Sequence, residues 1–281
     1  MSDTHDTNMD AFTINALQER IDNYLQLAAQ VRVDDSPDTI HDFRIASRSV
    51  LAVEPLLRAT SKTRKWRKPM SRWLKALNQL RDLQVMQERL GKNPELNREL
   101  EAGIQAELWA WGVLRPKIAD KAFRKRLAAS LEHFFQHCEN HPGYFTVTAL
   151  ALWWKTLGKV QARLAAVKQD EPATLHRLRI AVKNLRYLVN TLRHIGAIPT
   201  DANAGLKHWH DLLGDIQDRQ VAESWLDSNR ADRALSIQQL AESAALCTQF
   251  KEEQYQFQSI LIRLDATVTT HLIAIDHQRS R

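Results

Sequence analysis

Glycine and proline are scarce in this sequence, eight of each in 281 residues, so sites for tight turns are few and long helices are favoured. Cysteine is nearly absent. Cys138 and Cys247 cannot form a disulfide framework, and both sit as small apolar residues in helical patterns, which points to a reduced, cytoplasmic setting. No apolar run approaches the roughly 18 residues of a membrane span. The opening MSDTHDTNMD has neither a basic n-region nor an apolar h-region, and it does not read as a secretory signal. Val, Ile and Thr nowhere alternate with polar residues over a useful length, which argues against strands. A phosphate-binding G-x-x-x-x-G-K-[ST] loop is missing as well, so nucleotide cleavage of that type is unsupported.

What remains is a helical sequence with a localised positive charge. Apolar residues recur at helical spacing in segments of about 11–32, 38–59, 70–90, 94–114, 118–139, 145–167, 173–195 and 202–226, and again to about 276. The first ten residues read as a frayed polar tail. DDSPD at 34–38 supplies a cap and an early proline for the second helix, and Pro55 is expected to kink that helix or mark where it weakens. KTRKWRKP leads into the third helix. Thr174 is a candidate cap, and Gly196 a C′ residue closing the helix before it. The net charge is +6, but residues 41–90 alone hold 12 Lys or Arg against four acids. The rest of the chain is slightly acidic, so the positive field is concentrated, which solubility alone does not require.

An internal repeat gives that field a shape. His41-Asp-Phe-Arg44-Ile-Ala-Ser-Arg48 and His176-Arg-Leu-Arg179-Ile-Ala-Val-Lys183 share H-x-x-R-I-A-x-[RK] at an offset of 135. About 40 residues on, Arg81-Asp82-Leu-Gln-Val and Gln217-Asp218-Arg-Gln-Val recur at an offset of 136. On a helix, positions 0, +3, +7 and +10 fall within a stripe of about 80°. His176, Arg179, Lys183 and Arg186 therefore line one face, and His41, Arg44 and Arg48 its counterpart. Like charges one turn apart repel by a few tenths of a kcal/mol. A regularly charged anion would offset that repulsion.

These motifs resemble the CHAD family, the conserved histidine α-helical domain, over nearly all the chain after the tail. The resemblance implies an all-α fold of two four-helix bundles related by a pseudo-two-fold axis, here residues 11–140 and 141–281. It further implies a basic central groove holding inorganic polyphosphate, with polyphosphate granules as a possible place of action. On that reading the ligand-binding residues are His41, Arg44, Arg48, Arg72, Lys75, Arg81, His176, Arg179, Lys183, Arg186 and Lys207. The first copy departs from the family pattern: Ser49 and Leu51 stand where further arginines are usual, and Asn78 replaces a glycine. The basic cluster at 62–75 is expected to compensate.

Asp82 and Asp218 are expected to ion-pair with these cations and fix their rotamers rather than act as bases. No cofactor or metal is implied. His133 and His137 are spaced i, i+4, but lack the Glu of H-E-x-x-H and read as surface histidines. His208 is expected beside Lys207, facing the groove, and the eight tryptophans in the core and between bundles. A nucleic-acid-binding protein of the same charge logic is a competing reading, disfavoured because no nucleic-acid motif is present. An enzyme acting on polyphosphate or triphosphate is another; the E-x-E-x-K signature of triphosphate-tunnel domains is missing.

Overall fold

A computed structural model describes residues 6–168, 171–199, 203–228 and 233–279. Those residues form nine α-helices and no strand. They are α1 Asp6–Gln30, α2 Pro37–Arg58, α3 Arg64–Leu90, α4 Pro94–Leu114, α5 Lys121–Asn140, α6 Tyr144–Ala165, α7 Pro172–His194, α8 Ala204–Ser228 and α9 Arg233–Arg279. The opening residues 1–5 of the expected tail, and residues 229–230 between α8 and α9, lie outside the described residues. Helix α1 begins at Asp6 and so takes in half of that tail.

The helix ends follow from local chemistry. Ser36 caps α2, its hydroxyl accepting from Thr39 N at 3.4 Å, with Pro37 at the first helical position. Asn93 and Pro94 do the same for α4, and the Asp120 carboxylate accepts from Phe123 N at 2.6 Å to open α5. Helix α7 closes on Gly196, whose φ of 70° suits glycine; Gly196 N donates to Arg193 O at 3.0 Å, and Ala197 N to Leu192 O at 2.8 Å. Thr174 lies inside α7, which is capped at Glu171. Its hydroxyl bonds Glu171 O at 2.7 Å and Lys168 O at 3.0 Å, so it secures the preceding loop instead of capping the helix.

Two prolines are absorbed into helices. Helix α2 runs through Pro55 to Arg58, and α3 starts at Arg64, six residues before the expected position, with Pro69 inside it. Packing explains the second case. Trp66 and Met70 are both fully buried, and Trp66 Nε1 donates to Ser130 Oγ of α5 at 3.0 Å. Burying that indole contributes more than the one backbone bond Pro69 removes. Between α4 and α5, Arg115–Lys117 form a 3₁₀ turn, and α5 begins at Lys121.

Helix α6 packs on α7, α7 on α8, and α9 on both α8 and α6; earlier in the chain α1 packs on α2, α2 on α3, α3 on α4 and α5, and α5 on α1 and α2. Helices α1–α5 meet α6–α9 where α2 packs on α7 and α6, α3 on α8, and α5 on α6. One hydrophobic core runs through both, and a smaller cluster of Met86, Leu90, Leu96, Leu100, Ala222 and Leu226 joins α3, α4 and α8. Trp66, Trp111, Trp153 and Trp209 are fully buried, but Trp109 is 77% and Trp154 51% exposed. Residues one or two apart on a helix point 100–200° away from each other. Only one member of each of the pairs 109/111 and 153/154 can face the core.

Candidate functional site

The repeat places one H-x-x-R helix on each side of the contact between the halves. Helices α2 and α7 lie together there, flanked by α3 and α8, which carry Asp82 and Asp218. Residues separated by 135 positions in the chain thereby form one charged cluster.

Arg44 is the most deeply placed member, 8% exposed, and its guanidinium donates to the Leu77 carbonyl of α3. Burial, reinforced by Arg48, lowers its pKa to about 10, with Asp82 opposing. Lys183 is affected more strongly. Burial, then Arg48, Arg179 and Arg44, bring its ammonium down to about 7, against the opposing pull of Asp218. Here the two copies of the motif act on each other: Arg44 and Arg48 from the first, Arg179 and Lys183 from the second.

Two carboxylates offset this group only in part. Loss of hydration raises the pKa of both Asp82 and Asp218, although neighbouring cations pull the other way, Arg44 foremost at Asp82 and Arg179 at Asp218. Asp218 forms loose ion pairs with Arg89 at 3.7 Å and Arg179 at 4.0 Å, and Arg89 also reaches Asp215 at 2.8 Å. Asp218 thus has two arginine neighbours. Asp82 sits within the field of Arg44, Arg179 and Lys183, but among the described residues it has no ion pair within 4.0 Å. Its influence is through space, because α3 and α8 hold the two aspartates close enough to repel each other.

The stripe continues along α7 and α8. Arg186 Nη1 lies 2.8 Å from His210 Nδ1 and 3.9 Å from Asp211, which Lys207 reaches at 3.0 Å. Asp211 also lies 3.0 Å from that same His210 nitrogen. Burial, the leading influence, lowers the His210 pKa. Its Nδ1 faces the Arg186 donor and the Asp211 acceptor at once, and a given tautomer serves only one of them. His176 is exposed and bonds Gln217 of α8, tying the two motif elements of the second copy together.

The other expected residues are placed differently. His41 is exposed one turn before Arg44. Arg81 pairs with Glu88 at 3.1 Å while remaining in the field of Arg44 and Asp218. Lys75 is exposed on the Asp82 face of α3, seven residues or about 10 Å along the axis. Arg72 lines a separate cavity between α3 and α5. His208 turns away to α9, 2.8 Å from Glu253, because it lies about 100° around α8 from Lys207.

Arg89, His210 and Asp211 were not singled out from sequence as binding groups. Arg89 carried a usable signal: it follows Asp82 by seven residues and so shares its face of α3. Among the described residues no group of three or more His, Cys, Asp or Glu is arranged to hold a metal.

An all-helical architecture in which duplicated cationic helices meet across one interface defines a class of protein, and comparison with known sequences gives its family. The CHAD domain model matches residues 15–227, and the chain belongs to the CHAD family. It is similar in fold to the crystal structure of the CHAD domain from the plant Ricinus communis, with a TM-score of 0.62 and 19% identity, covering 95% of this chain and 92% of that one. No curated protein matches.

Proposed function

We propose that the chain is a non-catalytic module that binds inorganic polyphosphate along the junction of α2 and α7. One observation carries this reading: Arg44, Arg48, Arg179 and Lys183 crowd together until burial and mutual repulsion bring Lys183 to about pH 7. Holding cations at such a cost has a purpose if a polyanion relieves it. Arginines supply forked contacts to phosphate oxygens, while Lys183 and Lys207 act as compact point charges. His176 and Arg186 extend the track toward either end of α7. The asymmetry of the motif copies leaves α7 as the principal wall and α2 as the lesser one. A cytoplasmic site of action, on free polymer or on polyphosphate granules, fits this reading.

The test is a titration of long-chain polyphosphate over a range of salt, repeated with Arg179→Ala plus Lys183→Ala. Six engaged cations give a slope of log K against log salt of roughly −4, at about −0.7 per neutralised phosphate of a single strand. The double variant is expected to lose roughly 100-fold in affinity and to flatten that slope by about 1.4. Unchanged affinity would move the site elsewhere. Displacement of polyphosphate by single-stranded nucleic acid at equal phosphate concentration would favour a nucleic-acid function, and release of orthophosphate with divalent metal would favour an enzyme.

A further inference from the structure

A second cationic region lies away from the motif helices. Residues 58–75 contain eight Lys or Arg and no acid, and residues 115–126 contain six with a single acid, Asp120. That acid is engaged in capping α5. Beneath the region, Glu54 is 2% exposed and held by Arg58 at 3.0 Å and Arg67 at 3.4 Å. It fixes two guanidinium groups in place and leaves the surrounding charge largely uncompensated.

Two cavities open on this surface and share Lys68. One, of about 390 Å³ between α3 and α5, has Pro69, Trp73, Leu114 and Phe123 as an apolar wall, with Arg72, Lys117 and Arg126 among its cations. The Nε of Arg126 is buried there without a hydrogen-bond partner among the described residues. The other, of about 610 Å³ at the α2–α3 turn, is lined by Arg58, Lys62, Arg64, Lys65 and Arg67 around Glu54. Arg72 precedes Asp82 by ten residues and Lys65 by seventeen, which places these cavities about 15–25 Å along α3 from the motif cluster.

The two linings differ in a way that selects a ligand. An inorganic phosphate chain gains nothing from an apolar wall. A small cavity with apolar walls and a few convergent cations suits an anion with an apolar body, and the neighbouring cavity, with six cations among its nine lining residues, suits a run of phosphates. We propose that the α3–α5 cavity and the adjoining α2–α3 cavity form a binding site for an organic phosphate. Its apolar or ring portion rests against Trp73, Leu114 and Phe123, and its phosphates cross Lys68 toward Arg58 and Arg67. The site is independent of the polyphosphate reading and stands whether or not that reading holds.

Calorimetric titration of the full chain with ATP as an organic triphosphate, and with inorganic tripolyphosphate as its charge-matched control, tests this. Both titrations are run on the wild type, on Arg179→Ala plus Lys183→Ala, and on Arg72→Ala plus Lys117→Ala. Arg72 and Lys117 are exposed, so the last pair is expected to leave the melting temperature unchanged. In the α7 variant, where the motif track is weakened, ATP is expected to bind at least tenfold more tightly than tripolyphosphate, and ATP binding is expected to fall tenfold or more in the Arg72/Lys117 variant. Lys68→Glu, at the shared residue, should abolish the preference. Tripolyphosphate binding as tightly as ATP in the α7 variant overturns the organic-phosphate assignment. ATP binding that is lost with the α7 pair and kept with the Arg72/Lys117 pair overturns the site.

Discussion

Replacing Lys183 by methionine should make the unliganded protein more stable while weakening its hold on a polyanion. Burial and three arginines hold the ammonium at about 7 instead of the ordinary 10.5. At about 1.36 kcal/mol for each tenfold change in proton affinity, that depression is worth roughly 5 kcal/mol. Counter-ions and water at the open side of the cluster screen part of it, so roughly 2–4 kcal/mol is expected in practice. The sign follows from linkage. The unfolded chain keeps this proton up to about pH 10.5 and the folded chain only to about 7. Stability therefore rises as pH increases through that window, and the full penalty is felt below pH 7. Methionine has a similar straight stem and no charge, so Lys183→Met removes the penalty with little loss of packing. In urea unfolding the variant should exceed wild type most at pH 6, less at pH 8, and hardly at all near pH 10. The reasoning is refuted if the variant is no more stable at pH 6, or if its advantage is the same at every pH. A second readout concerns the ligand: a bound polyanion should restore the charge on Lys183. Binding at pH 8 should then take up close to one proton in wild type and clearly less in the variant, measured calorimetrically in buffers of different ionisation enthalpy.

Other outcomes follow from neighbouring groups. Asp218→Asn should tighten polyphosphate binding several-fold at fixed salt, because it removes a negative charge from beside Arg179. Since burial raises the Asp218 pKa despite its arginines, the same change should cost no more than about 1 kcal/mol in a thermal melt. Glu54→Gln leaves Arg58 and Arg67 without their buried counter-charge, and denaturant unfolding should show a loss of about 2 kcal/mol. Gly196→Ala forces a side chain into a φ of 70° and should destabilise by about 1 kcal/mol, seen as a lower urea midpoint with an unchanged m-value.

The sequence by itself determined the helical class, most helix boundaries and the two motif stripes. Those depend on local rules: few turn residues, apolar spacing near 3.6, and caps such as Ser36-Pro37, Asn93-Pro94 and Gly196, each readable within a few positions. Charge spacing along one helix is local in the same sense, so the Arg44 and Arg179 stripes could be drawn before any packing was known. Tertiary structure decided what those stripes meet. Only the packing of α2 on α7 brings Arg48 against Lys183, and only that burial lowers the lysine. Packing likewise carried α3 through Pro69, because the burial of Trp66 outweighs a local penalty. It chose Trp111 and Trp153 over Trp109 and Trp154 for the core, turned His208 to Glu253, and assigned Arg72 to a cavity of its own. In each case the deciding energy comes from groups distant in the chain, which no local pattern records.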